Sequence, residues 1–411
     1  MRDTHVVLCT LGTRGDILPF VMMGQELSRR GFVTTILSNE NWKDMVEAAG
    51  LAFCPIAAQD PPQCGRDDYG FFLENTLPSF TASYDYVLDM CGSGIRPLLI
   101  YRCNMLGMES AAEKLGLAHV KVALQPSAIR SYERPPWPMT PLAQGRFKPL
   151  FKSLVVPALY VLAELSRRYR KHTNAFRKAR GLAPHRFAAR AQRSENATLV
   201  MAPTWFALPQ SDWPKNAHCI GFPFAAEAEA DAEIEAFIAQ HGKPIVFTPG
   251  TGVQDTRAFF NSAQQACRDL DLPGIFLSAT AASDTAEAGT RILRKPFADL
   301  NWLTPRARLL VHHGGIGTTA QALRAGVPQL VLPGRFDQPD NAVRVASMGL
   351  GAALMKDPGT PGLWPSIMRQ LLESSRMEQR LARASASINR ENAAQKAAAV
   401  IESVLDCHAV G

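Results

Sequence analysis

At 411 residues, with 46% hydrophobic and 20% charged side chains, the chain carries more apolar material than one core usually organises; this predicts two domains of roughly 150–200 residues each and excludes disordered and low-complexity classes. The formal charge of +7, from 44 Lys and Arg against 37 Asp and Glu, favours anionic partners, but no aromatic-interleaved basic motif occurs and no nucleic-acid partner is expected. Eight scattered cysteines (Cys9, Cys54, Cys64, Cys91, Cys103, Cys219, Cys267, Cys407) form no Cys-x-x-Cys pair, and the N-terminus enters a strand-like run without signal-peptide order; both read as a cytoplasmic protein with reduced core thiols.

In chain order, Val6–Leu11 reads as a strand, Phe20–Arg30 as a helix, Thr34–Leu37 as a strand, Trp42–Ala49 as a helix and Ala52–Ile56 as a strand. Gly31 and Gly50 fall just past the two helices, where a left-handed residue closes the last turn. This is the rhythm of a parallel sheet with helices on its faces. The middle of the chain, about Gln59–Arg193, departs from it. Its longest apolar stretch, Leu154–Leu165, contains Pro157 and Glu164 and is too short to cross a bilayer, which takes about 20 residues. It reads as a buried helix or, with the basic run after it, as a peripheral contact with the inner membrane. That run (Arg167, Arg168, Arg170, Lys171, Arg177, Lys178, Arg180) by itself reads first as a solvated helix face.

After a Pro- and Trp-rich stretch the rhythm returns, which places a domain boundary near Phe222–Asp231. Pro244–Thr248, Gly274–Ser278, Leu309–His312 and Gln329–Leu332 read as strands, and Ala258–Asp269 and Thr318–Ala325 as helices. Ser375–Leu405 reads as one long Ala-rich helix with no strand after it. Ligands of open parallel sheets sit beyond the carboxyl ends of the strands, so the loops after Leu11, Thr248 and His312 are the places to search.

The segment Val311–Asn341 reads VHHGGIGTTAQALRAGVPQLVLPGRFDQPDN. A strand runs into His312-His313-Gly314-Gly315-Ile316-Gly317-Thr318 and then a helix. Glycines let backbone approach a ligand, and a helix start offers free N–H groups and partial positive charge, which suits a diphosphate. Thr318 adds a hydroxyl and His312 an imidazole N–H. A tight strand-to-helix turn needs glycine in any case, so the loop gains meaning from Asp337-Gln338 downstream, which suit sugar hydroxyls. Asn341 reads first as the N-cap of the next helix, and Asp337 has a cap as its alternative reading.

Val311–Asn341 resembles the donor signature of family 1 glycosyltransferases of the GT-B fold, which pairs a His- and Gly-rich phosphate loop with a terminal Asp-Gln. Gly12–Phe20 (GTRGDILPF) resembles the acceptor-side loop of bacterial and sterol members. Trp205-Phe206, Asp212-Trp213-Pro214 and Gly221-Phe222-Pro223 are similar to the bacterial rhamnosyltransferases of rhamnolipid synthesis. The resemblance implies an α/β architecture of two Rossmann-like domains facing across a cleft: 1–222 for the acceptor, 223–385 for the nucleotide sugar, and a helix in 386–411 crossing back to the first domain. It implies that His312, Gly315, Gly317 and Thr318 contact the diphosphate, that Asp337 and Gln338 hold the sugar, and that Thr251, after Gly250, lies near the phosphates. Phe297 and Ala298 would meet the base, and Thr13 and Arg14 join the donor-binding set. His313 is weighed as a turn residue.

Many members of that family carry a histidine base after the first strand; here Asp16 stands in the loop, a departure shared with the sterol and antibiotic types. A carboxylate is a weak base for an alcohol unless its cleft is closed and apolar, and Asp16 reads alternatively as a cap of the helix that follows. The implied reaction is inverting transfer from a UDP- or dTDP-sugar to a hydroxyl of an apolar molecule or lipid, a hydroxy fatty acid being one specific case. No metal or other cofactor is expected beside the co-substrate; Asp269-x-Asp271, the one Asp-x-Asp, lies in an ordinary loop. Phe71, Phe72, Phe80, Trp137, Phe147 and Phe151 are candidates for the acceptor site or for core packing. A non-catalytic partner subunit and a nucleotide-sugar epimerase are the competing readings, and monomer and dimer are not distinguished.

Overall fold

The computed structural model describes residues 4–57, 69–135, 167–184, 196–225, 230–250, 256–278, 291–355 and 363–409. Thr251, Cys64, Leu154–Leu165, Trp137, Phe147 and Phe151 lie outside them, as do the side chains of Phe71 and Phe72. Seven strands, β1 (His5–Cys9), β2 (Val33–Asn39), β3 (Ala52–Ala57), β4 (Leu98–Arg102), β5 (His119–Ala123), β6 (Ala197–Val200) and β7 (Ala217–Cys219), form one sheet in the order β3-β2-β1-β4-β5-β6-β7. A second sheet runs β10-β9-β8-β11-β12-β13, built from β8 (Ile245–Thr248), β9 (Gly274–Leu277), β10 (Ile292–Lys295), β11 (Leu309–His312), β12 (Gln329–Val331) and β13 (Ala352–Ala353). The pairings are parallel, with Cys9 opposite Tyr101 and His312 opposite Thr248 in register.

The apolar strand runs follow from burial on both faces. In β1, Val6 and Leu8 face one core with Ile36, Ile100 and Val122, while Val7 and Cys9 face the other with Leu37, Leu99 and Tyr101. In the second sheet, Phe247 and Val311 pack with Phe276 and Trp364 on one side, and Val246 and Leu310 with Ile275 and Leu303 on the other. In both sheets the connections leave in opposite directions at one place, between β1 and β4 and between β8 and β11. Those crevices are where open α/β sheets take their ligands.

The chain divides into two compact units, Met1–Pro223 with Asn392–Gly411, and Phe224–Glu391. The stretch expected to be one long helix is two. Ser375–Asn389 belongs to the second unit and Ala393–Ala409 to the first. The break has a local cause, because the Asn392 side chain caps the new helix through the Gln395 N–H at 3.0 Å. Ala397, Ala398 and Ile401 then complete the core against β1, β4 and β6.

Three further expectations change. The first helix is Arg14–Arg29 and starts six residues before Phe20, because Thr13 and Asp16 close its first turn and Pro19 is accepted inside it. The basic run is not a uniformly solvated face: Lys171 and Lys178 are exposed, but Arg177 is buried, paired with Glu113 at 2.8 Å and donating to the Ala183 carbonyl. The Arg180 guanidinium lies 3.5 Å from the centre of the Phe176 ring. Finally, Cys407 is exposed, whereas Cys9, Cys103 and Cys267 are core thiols. Among the described residues no helix is long and apolar enough to cross a membrane.

Candidate active site

At the β1/β4 crevice the loop Thr10–Asp16 is braced from three sides. The Gly12 N–H donates to Asn39 Oδ1 at 3.2 Å and its carbonyl accepts from the Trp42 indole at 3.0 Å. Gly12 has φ +131, and a Cβ there would stand 2.4 Å from Asp16 Oδ2, so this position requires glycine. Asp16 Oδ2 accepts from the Thr13 N–H (2.9 Å) and hydroxyl (3.1 Å), which is the capping role. Its other oxygen lies 3.1 Å from the Arg102 guanidinium, which also donates to the Leu11 carbonyl at 2.8 Å. Thr13 is exposed and Arg14 half-buried. Asp16 is thus both cap and half-exposed carboxylate at the sheet edge.

At the β8/β11 crevice the phosphate-type loop is built on buried polar contacts. His312 is fully buried. Its Nδ1 accepts from the Gly314 N–H at 3.1 Å, so Nε2 carries the proton and donates to Gln329 Oε1 at 2.9 Å. Burial pushes the His312 imidazole down to about 3, with His313 adding to the shift and Gln329 opposing it. Both ring nitrogens are engaged inside the fold. The expected imidazole donor to a diphosphate therefore shapes the loop instead of pointing out of it.

The helix Ile316–Ala325 begins at Gly315, which has no side chain to bond the first N–H groups. Thr318 is half-buried in its first turn. Asp337 precedes the helix Gln338–Ser347 without capping it; its Oδ2 accepts from Asn341 Nδ2 at 2.7 Å. Asn341, read from sequence as an N-cap, is fully buried within that helix and also donates to the Gly314 carbonyl at 3.0 Å. Gln338 Oε1 accepts from the Gly334 and Arg335 N–H groups at 2.9 and 3.1 Å, leaving its amide nitrogen as the outward donor. Phe297 is half-exposed, while the Ala298 side chain packs into the core with Trp302 and Leu303, so only its backbone could meet a ligand.

The glycines divide into two classes. A Cβ at Gly250 (φ +92) would meet the His313 ring at 2.7 Å, one at Gly314 (φ +88) would meet Val331 at 2.7 Å, and one at Gly315 would meet His313 Nε2 at 2.6 Å. Protein packing alone demands these three. At Gly317 a Cβ would meet nothing within 4 Å among the described residues and the backbone is ordinary helix. Neither packing nor conformation accounts for that glycine.

Comparison with known proteins separates the two halves in the same way. Residues 6–81 match the glycosyltransferase family 28 N-terminal domain, and residues 274–407 match the erythromycin biosynthesis protein CIII-like C-terminal domain. The O-mycaminosyltylonolide 6-deoxyallosyltransferase of Streptomyces fradiae is 28% identical over 85% of each chain. A sterol 3-beta-glucosyltransferase of Leptosphaeria maculans is 24% identical over 98% of this chain and 29% of its own length. Among solved structures, the kitacinnamycin glycosyltransferase (18% identical, TM-score 0.75, covering 98% of this chain and 99% of the other) and VinC in complex with dTDP (17%, TM-score 0.68, 98% and 100%) share the fold. The chain has the GT-B fold and is a sugar-transferring enzyme of glycosyltransferase type.

In this glycosyltransferase each matched family segment carries one of the two loops. Several residues that build them escaped sequence reasoning. Arg102, Asn39 and Trp42 hold the Asp16 loop from 27 to 91 positions away, and only their place at or just past strand ends could have flagged them. His313 is more than a turn residue: its ring packs against Gly250 and Gly315, and its Nδ1 is buried with no partner among the described residues. Burial lowers its imidazole to about 4, opposed by the Thr248 carbonyl, so it is neutral near pH 7.

Proposed function

We propose that this glycosyltransferase moves a sugar from a UDP- or dTDP-linked donor to a hydroxyl of an apolar small molecule or lipid, with inversion at the anomeric carbon and without a metal ion. The observation that carries the donor half is the uncapped start of the Ile316–Ala325 helix, with nothing among the described residues within 4 Å of a Cβ at Gly317. Helix N–H groups and the Thr318 hydroxyl are suited to the charge that develops on a leaving diphosphate. Asp337, tied to the same loop through Asn341, and the Gln338 amide are suited to the sugar hydroxyls. VinC, a fold neighbour solved with dTDP, supports a nucleotide in this architecture. In the same reading Phe297 and the backbone of Ala298 meet the base, and Thr251, Thr13 and Arg14 complete the donor site.

Asp16 is proposed as the base. Thr13 and Arg102 fix the position of its two oxygens, so it accepts a hydrogen bond from the acceptor hydroxyl and takes the proton late, when bond formation to the anomeric carbon has made that hydroxyl acidic. The oxygen attacks the anomeric carbon as the bond to the diphosphate breaks. The relatives' names, one a sterol glucosyltransferase, support an apolar alcohol as acceptor. Release of nucleoside diphosphate, measured over a donor panel with and without sterol, aromatic and hydroxy-fatty-acid alcohols and with and without EDTA, tests the proposal. Acceptor-dependent release unaffected by EDTA is expected; release that requires a divalent ion, or none with any donor, overturns it.

A further inference from the structure

We infer that Asn341 is a positioning residue that couples the diphosphate and sugar halves of the donor site, an inference that rests on the donor reading above. One buried amide nitrogen donates at once to the Gly314 carbonyl in the strand-to-helix loop (3.0 Å) and to the Asp337 carboxylate (2.7 Å). The amide orientation is fixed by chemistry, since flipping it would turn an oxygen toward two acceptors. Its Oδ1 is buried with no partner among the described residues, so these two bonds are the hydrogen bonds its side chain makes there. Gly314 is itself held through its N–H by His312, and His312 by Gln329. A displacement of Asp337 by a bound sugar is thus felt at Gly314, immediately before the helix start, through a single side chain. Asp340, the nearest acid on the same helix, is buried in a pair with Arg344 at 2.7 Å and does not compete for the amide.

The test uses the full chain with Asn341→Ala, Asn341→Asp, Asp337→Ala and the Asp337→Ala/Asn341→Ala double variant. Nucleoside diphosphate affinity is read by calorimetry, donor kcat and KM by turnover, and folding by circular dichroism. Asn341→Ala removes both donated hydrogen bonds and should weaken both UDP or dTDP binding and donor kcat/KM by roughly 10- to 100-fold. Asp337→Ala should lower donor kcat/KM while leaving nucleoside diphosphate binding within about twofold, and the double variant should fall short of the product of the single losses. Asn341→Asp keeps the volume and sets a second carboxylate against Asp337, so its donor kcat/KM should recover, relative to wild type, as pH falls from 8 to 6 and the pair shares a proton. If Asn341→Ala does not fold, this pH profile carries the test. Unchanged nucleoside diphosphate affinity in a folded Asn341→Ala protein, or an Asn341→Asp profile parallel to wild type, overturns the coupling. Wild-type protein that binds no nucleoside diphosphate overturns the donor reading itself.

Discussion

Replacing Gly317 with alanine separates what the fold needs from what a ligand needs. The added methyl group meets nothing within 4 Å among the described residues, and the residue lies in the first turn of a ten-residue helix, where alanine is the better helix former by about 0.5–1 kcal/mol. For a unit of this size that gain corresponds to a rise in Tm of roughly 1–4 °C. If the diphosphate lies over this turn, the same methyl group intrudes on it. Overpacking of that kind costs about 1–3 kcal/mol, a loss of roughly 5- to 150-fold in affinity for UDP or dTDP. The assay pairs thermal melting with calorimetric titration, using Gly315→Ala as the comparison, since its methyl would stand 2.6 Å from His313 Nε2 and should disturb the loop with or without ligand. A Gly317→Ala protein that is as stable as wild type and binds nucleoside diphosphate equally well refutes the placement.

Asp16→Asn keeps an acceptor oxygen for the Thr13 contacts but removes the base, so transfer should fall at least 100-fold while nucleoside diphosphate affinity is retained; near-normal turnover sinks the assignment. Arg102→Ala frees one Asp16 oxygen and the Leu11 carbonyl and should lower kcat about tenfold with donor KM unchanged; a shift confined to KM would contradict its place beside the base. Acid should destabilise the second unit through His312. Its pKa is about 6.5 when unfolded and about 3 when folded, so the unfolded state binds the proton first and stability is lost as pH falls through that window. At pH 5 the loss amounts to about 2 kcal/mol. The fall in Tm between pH 7 and 5 should therefore be shallower in His312→Gln, and an identical slope would show that His312 is not the group responsible.

Much of this architecture is legible in the chain because it rests on local pattern. Apolar runs such as Val6–Cys9 and Leu309–Val311 are strands buried on both faces, and Gly31 and Gly50 adopt the left-handed conformation their places after helices require. Errors arise where a distant or polar contact decides. The Thr13–Asp16 pair moves a helix start past Pro19, and Asn392 divides what composition makes continuous. Arg177 is drawn out of its basic run by Glu113, 64 positions earlier. At the candidate site the motif residues are recognisable as types, but their tasks depend on pairing. His312 carries the look of a ligand donor and spends both nitrogens on Gln329 and Gly314, while Asn341, with the look of a cap, spans two loops.

The turn at Asn392 also sets the order in which the molecule can be finished. The first unit is not a contiguous stretch of chain: Ala393, Ala397, Ala398 and Ile401 supply part of the core around Val6, Leu8 and Ile100. On the ribosome those strands emerge roughly three hundred residues or more before the helix that closes over them, and they wait with an open apolar face while the whole second unit is made. A nick between Pro223 and Phe224 would leave the first unit dependent on the other product for the Ala393–Ala409 helix, and removal of Asn392–Gly411 should unfold that unit.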